Sequence, residues 1–336
     1  MFKFLRRNKK RQEPQQLNES EQIPCTNEET GKFSFIEISP RDSRQSLRGS
    51  KKRFSERASY NLSVMSNRLS TDKLVCEQFK VGSISPKSII ILYLRNIANK
   101  GIVSEVRDRI AAIKAPNVLD SSFVERNIED SNLSPFPQIE ATQKPDVVES
   151  ALMQGRVAVI VDGSPDVLLA PTTFFDLMDT PDDAYTRWFF AASFFRIARY
   201  IMFLLAASLP GFYIALTSFN PEMIPTQLMI KIIASREETP FPIYFEMFLM
   251  MGIIEAVRIM MIRMPSQIGS TIALLSGLSL IGVGVSSNVI GPVAVIIPTL
   301  TMIASFGIPN YDLRTAVRII QFFTMIMSSM LGILGY

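Results

Sequence analysis

The stretch Gln267–Tyr311, QIGSTIALLSGLSLIGVGVSSNVIGPVAVIIPTLTMIASFGIPNY, contains no Asp, Glu, Lys, Arg or His, and its closing Tyr is its only ionisable side chain. A water-facing surface of that length needs charge, because about a quarter of ordinary globular residues are charged. A lipid-facing surface does not. Working outward, the charged residues from Tyr200 to Tyr336 are only Glu222, Lys231, Arg236, Glu237, Glu238, Glu246, Glu255, Arg258, Arg263, Asp312, Arg314 and Arg318. Apolar stretches at Ile197–Leu216, Ile243–Ile262, Ile268–Val285, Val289–Phe306 and Ala316–Leu334 each have close to the ~20 residues that cross a hydrocarbon core about 30 Å thick. The expected fold is a small α/β cytoplasmic domain followed by a multi-pass α-helical membrane bundle of about five spans. Its divisions are a basic, Ser-rich, mostly disordered tail at 1–70, a soluble α/β domain at 72–190 and a helical transmembrane domain at 191–336.

Charge between the spans sets their expected direction. Arg187, Arg196, Arg199, Arg258, Arg263, Arg314 and Arg318 fall on one side, and Lys231 and Arg236 on the other, offset by Glu222, Glu237 and Glu238. The positive-inside rule then places the N-terminal domain in the cytoplasm and Tyr336 outside. Just before the first span, Tyr185–Tyr200 interleaves Trp188, Phe189, Phe190, Phe194, Phe195 and Tyr200 with Arg187, Arg196 and Arg199. Rings beside snorkelling arginines suit headgroup level, so the segment reads as a bridge at the membrane surface.

The N-terminal half has a different grammar. Met1–Arg57 carries 14 Lys/Arg against 8 Asp/Glu, which suits either solvated disorder or docking on anionic headgroups. A short helix is expected within Lys51–Leu69. Leu74–Val81 alternates, while Ile89–Leu94 (IIILYL) is a continuous β-branched run, the pattern of a buried strand. Val103, Val106, Ile110 and Ile113 mark one face of a helix, and Pro145 opens another that Gly155 closes. Val157–Val161 and Val167–Ala170 flank the turn Asp162-Gly163-Ser164-Pro165 and form a hairpin. Cys25 and Cys76 give no metal-ligand spacing and no disulfide framework, and histidine is absent. No glycine-rich phosphate loop and no HExxH is present, so no enzyme, cofactor or metal is expected. Asp162, Asp166, Asp179, Asp182 and Asp183 read as a solvated turn and linker.

Within the apolar half, Glu246, Glu255 and Arg258 fall inside the second span. A charge at bilayer depth costs about 2.5–3.5 kcal/mol, so such residues face a partner or a wet cavity. Glu255 and Arg258 share a helix face and suit either a structural ion pair or the lining of an ion or solute path. Gly269, Ala273 and Gly277 repeat every four residues and predict close helix packing, within one chain or around a symmetry axis. Pro210-Gly211, Pro292 and Pro298 can kink their helices. Thr226–Ala234, between prolines and too short to span, suits a re-entrant or interfacial helix.

Several ordered motifs resemble the A subunit of the GerA-type spore germination receptors. They are Ser134-Pro-Phe-Pro137 with Thr142-Gln-Lys-Pro-Asp146, and Gly155-Arg-Val-Ala-Val-Ile-Val-Asp-Gly-Ser-Pro165. Further along come Glu222-Met-Ile-Pro-Thr226, Arg236-Glu237 with Pro240-Phe-Pro242, Glu255-x-x-Arg258 with Arg263-Met-Pro265, and Ala304-Ser-Phe-x-Ile-Pro309. The resemblance runs from about Arg48 to Tyr336. It implies a nutrient germinant receptor subunit of the spore inner membrane, with its N-terminal domain on the spore-core side. Its implied partners are B- and C-type subunits, membrane lipid and further copies of itself around an ion path, with no nucleic acid. Glu246, Glu255 and Arg258 are then the expected polar path, and Pro225, Arg236, Glu237, Pro240 and Pro242 mark the expected coupling segment. The chain departs from the family by lacking part of the N-terminal soluble region and the closing membrane segment. It also carries Met251 and Ile259 where the family has acids, and Asn220 for its His. Those departures imply an alternative, a non-conducting scaffold or truncated paralogue.

Overall fold

The computed structural model describes residues 22–23, 53–131, 133–180, 183, 189–263, 275, 277, 279 and 282–336. The chain divides into two compact units, one of residues up to Asn132 plus Gln138–Thr172, the other of Leu133–Pro137 plus Thr173–Tyr336.

The first unit is a six-stranded sheet in the order β1-β2-β3-β5-β6-β4. Its strands are β1 (Gln22–Ile23), β2 (Leu74–Val81), β3 (Lys87–Leu94), β4 (Glu140–Thr142), β5 (Val157–Val161) and β6 (Val167–Ala170). All neighbouring strands are antiparallel. An antiparallel sheet often leaves one face to water, with an alternating sequence to match. Here both faces are covered, which is why β3 and β5 read as unbroken apolar runs. Ile90, Leu92, Ala158 and Ile160 pack on one side with Met65 of α1 (Ala58–Leu69) and Leu152 of α4 (Pro145–Met153). Ile89, Ile91, Val157 and Val159 pack on the other with Val106 of α2 (Lys100–Ala112) and Val124 of α3 (Ser121–Ile128). Each fully buried Ile, Leu or Val contributes about 1.5–3 kcal/mol relative to exposure.

Three expectations change here. Phe54 and, in α1, Ala58 and Met65 are part of this core, and the unit closes at Thr172, so the boundaries read at 72 and 190 both move toward the N-terminus. Gln22–Ile23, inside the expected disordered tail, is a short strand on β2; the rest of 1–52 lies outside the described residues. Cys76, buried on β2, is disulfide-bonded, where the two cysteines are expected to supply no such link; its partner lies outside the described residues.

The second unit is helical. It contains α5 (Phe174–Met178), α6 (Phe189–Phe219), α7 (Thr226–Ala234), α8 (Ile243–Arg263), α9 (Pro292–Phe306) and α10 (Tyr311–Leu331). Thr324 donates to the Ala207 carbonyl at 3.2 Å, and Ser328 and Gly332 lie against Gly211 and Phe219. Residue numbers rise together, so α6 and α10 run parallel. Tyr213 and Ile214, late in α6, pack with Met247, early in α8, and Ala294, early in α9. Ala206, earlier in α6, packs with Ala304, late in α9. Helices α8 and α9 therefore both run opposite to α6, and the chain leaves α8 at one end of the group and enters α9 at the other.

Among the described residues, two helical stretches are long and apolar enough to cross a membrane, Phe190–Phe219 and Tyr311–Leu334. The other expected spans differ. Helix α8 has 21 residues but carries Glu246, Glu255 and Arg258. Helix α9 has 15 residues, about 22 Å of helix, because Gly291-Pro292 starts it later than Val289. Most of Ile268–Val285 lies outside the described residues. The bridge read at Tyr185–Tyr200 is, from Phe189 on, simply the start of α6; Tyr185 to Trp188 lie outside the described residues.

Candidate functional site

The motif that begins at Gly155 is spent on architecture. Gly155 adopts φ +90°, and a Cβ there would meet the Ile97 carbonyl oxygen at 2.9 Å. Arg156 donates to Glu140 and to the Pro171 carbonyl, both at 2.9 Å. Asp162 accepts from the Ala58 amide at 3.0 Å and so caps α1, and Ser164 donates to Ser121 at 2.9 Å. Asp146 pairs with Arg68 at 2.5 Å. Of the aspartates read as a solvated turn and linker, Asp183 pairs with Arg199 and Arg196 of α6. Asp182 lies outside the described residues. Among the described residues no group of His, Cys, Asp and Glu could hold a metal ion.

One charged group is deeply buried in the sheet unit. Glu77 on β2 has a fully buried side chain and receives Arg107 through two bonds, at 2.8 and 2.6 Å, and Tyr93 at 2.8 Å. Burial works against its charge, yet these hydrogen bonds and the Arg107 charge outweigh that and hold its pKa below the ordinary glutamate value.

The helical unit carries two polar clusters on α8. Near its C-terminal end, Glu255 accepts from Arg258 at 2.7 Å and from Arg318 of α10 at 2.9 Å. Arg318 also lies over the Tyr311 ring, 5.8 Å from its centroid. The expected Glu255–Arg258 pair is thus a triad that joins two helices. Arg318 was legible only as an orientation charge, since nothing in α10 itself points toward residue 255.

At the other end of α8, the Pro242 carbonyl accepts from the Glu246 amide at 3.1 Å and opens the helix. The Glu246 side chain is 0 % exposed and faces Arg236, 13 % exposed, with Nη1 and Oε2 at 3.3 Å. Two residues expected in different roles, path and coupling, therefore meet in one ion pair. Arg236 also donates to the Phe241 carbonyl at 3.0 Å. Gly291, the N-cap of α9, sits beside them: a Cβ there would lie 3.4 Å from Arg236 Cγ and 3.6 Å from Glu246 Oε2. The Thr239 side chain and the Gly291 backbone also lie close to the Glu246 carboxylate, and Arg236 lies close to the buried Tyr213 hydroxyl. Asn288 donates to the Glu238 carboxylate from the same turn. Pro225 precedes α7, and Glu237, Pro240 and Pro242 are exposed.

Glu246 and Glu255 are not neighbours. Nine residues of helix separate them by about 13.5 Å and about half a turn of azimuth. Of the packing stripe, Gly269 and Ala273 lie outside the described residues, and a Cβ at Gly277 would meet nothing within 4 Å among the described residues. A close small-residue approach is present at Gly211, where a Cβ would meet Ser328 Oγ at 3.1 Å and the Thr324 backbone at 3.2 Å.

Comparison with known proteins gives a consistent answer. The family of the Bacillus/Clostridium GerA spore germination protein matches residues 29–336. Spore germination protein A1 of Bacillus subtilis (strain 168) is 37% identical over 306 residues, covering 91% of this chain and 63% of that protein. Spore germination protein B1 of the same organism is 36% identical over 288 residues, 86% of this chain and 59% of that one. Spore germination protein GerLA of Bacillus cereus is 34% identical over 289 residues, 86% and 58% respectively. The chain thus spans less than two-thirds of the length of each. The crystal structure of the N-terminal domain of the A subunit of the Bacillus megaterium spore germinant receptor GerK3 matches 37% of this chain and 98% of its own, at 37% identity and a TM-score of 0.31.

Proposed function

The chain belongs to the GerA family of spore germination proteins, and from that premise we propose that it is the A-type membrane subunit of a nutrient-responsive germination receptor. The observation that carries this reading is the helix directions. A first and a last apolar helix that run parallel, with two helices between them running opposite, need one more crossing between α8 and α9 if all traverse lipid. The five-span reading supplies it, and α6 and α10 then lie first and last in an odd series. Exposed Phe190, Phe194, Ile197, Ile201, Leu204, Ile319, Phe323 and Met330 suit lipid contact. The sheet unit faces the spore core, the B- and C-type subunits are partners, and ligand binding in the complex moves the helical unit through the Pro225–Pro242 segment. In spores that retain inserted protein, Glu255→Ala and Arg258→Ala are expected to impair nutrient-triggered ion release. Normal release from both would remove the triad from the mechanism.

A second reading has a specific observation behind it. Because Glu246 and Glu255 face opposite sides of α8, one copy of the chain does not line a continuous path with them. That favours a scaffold, or a path formed only between copies. Purified protein in liposomes separates the two: conductance with B- and C-type partners supports a path, and silence supports the scaffold.

A further inference from the structure

We infer that the loop between α7 and α8 is a latch, held shut by Arg236 on Glu246 and by Glu238 on Asn288, and that its release is the movement the coupling segment transmits. This inference rests on the receptor reading above. The geometry distinguishes a latch from a rivet. A buried ion pair that serves only stability is expected to be closed by direct hydrogen bonds between its partners, since charge attraction alone barely offsets desolvation. The Glu255 carboxylate meets that standard, with one hydrogen bond to each of two arginines. The Glu246 carboxylate does not. Arg236 faces it at 3.3 Å, while the hydrogen bond at the other end of the guanidinium goes to Phe241 in its own loop.

Three elements converge on this pair. They are the first turn of α8, the loop itself, and Gly291 at the start of α9, which lies in van der Waals range of both side chains. The second anchor, Glu238 with Asn288, fastens the same loop to the same turn. Among the described residues, little of α7 is buried. On α7 Ile232 is buried, whereas Leu228, Ile230 and Ile233 are exposed. A segment with few buried contacts opens at low free energy, which is a property of moving elements. Opening would separate the loop from α8 and α9 together, at the end of the unit far from the Glu255 triad.

The test uses the full chain in its receptor complex in spores. An E238C/N288C variant is crosslinked with a mild oxidant, and nutrient-triggered ion release is recorded before and after reductant. The expected result is loss of release in the crosslinked form and recovery on reduction. Normal release from fully crosslinked protein would overturn the latch. Because a cysteine pair could misfold, a second measurement follows M247C, a buried position next to Glu246 in α8, labelled with a maleimide and mapped by mass spectrometry. Arg236→Gln is expected to speed that labelling by roughly tenfold or more, as for any opening made easier by the loss of one anchor. Unchanged labelling would equally overturn the latch. Faster labelling in a chain whose wild type gives no nutrient response would sink the receptor reading and leave the latch standing.

Discussion

Two glutamates with side chains 0 % exposed sit in the two units, and their surroundings are opposites. Glu77 lies in the sheet unit and accepts three hydrogen bonds, two from one guanidinium and one from a phenol. Glu246 lies in the helical unit and faces an arginine at 3.3 Å with no direct hydrogen bond from it. Burial is the same in both; the arginine's grip differs. A site built for rigidity completes its network, because a half-satisfied buried group is costly in a low-dielectric interior. The contrast therefore separates a unit that holds its shape from a unit that keeps one contact breakable.

The largest expected effect comes from Arg236→Met, which strands a buried carboxylate. Loss of one partner of a buried pair costs about 3–5 kcal/mol, read as a lower denaturant midpoint of the protein in detergent. The double variant Arg236→Met with Glu246→Gln is expected to recover most of that loss. If the single variant is neutral, the pair does not hold the loop. Next is Gly211→Leu, whose side chain has no room against the α10 backbone. Overpacking of this kind costs about 1–3 kcal/mol, and a crosslink between α6 and α10 cysteines should form more slowly. Glu77→Gln follows. Hydrogen bonds to a charged group contribute about 1.5–3 kcal/mol, and the value should fall near the lower end because Arg107, 37 % exposed, can regain water.

The smallest effect is the pH dependence of that last difference. The folded pKa of Glu77 is depressed, so its stabilisation is fully present above the ordinary glutamate value of about 4.3 and fades as pH falls through the depressed value. The gap in denaturant midpoint between wild type and Glu77→Gln should therefore be wide at neutral pH and shrink in acid below that range. A gap that widens in acid would reverse the sign of the argument.

Much of the sheet was legible in local pattern. The runs at Ile89–Leu94 and Val157–Val161 announced strands buried on two faces, and Pro145 and Gly155 bracketed α4. Strands β1 and β4 were not legible, since two or three residues carry no periodicity. Helix α3 has eight residues, with Asp120 as its cap; that cap was the signal available for it. Glu246, Glu255 and Arg258 stood out because charge is rare in apolar helices, but their partners did not. Arg318 lies 63 positions beyond Glu255, and pairing at that range is decided by helix packing rather than by spacing. Glu238 and Asn288 are 50 apart and hidden for the same reason.

The topology itself admits a direct measurement. Single-cysteine variants at Lys114, Glu237 and Tyr336 can be exposed to a membrane-impermeant thiol reagent in intact, right-side-out membranes, then again after lysis. Five crossings predict labelling at 237 and 336 in intact membranes and at 114 only after lysis. Labelling of 114 and 336 from the same side would require an even number of crossings and contradict the account.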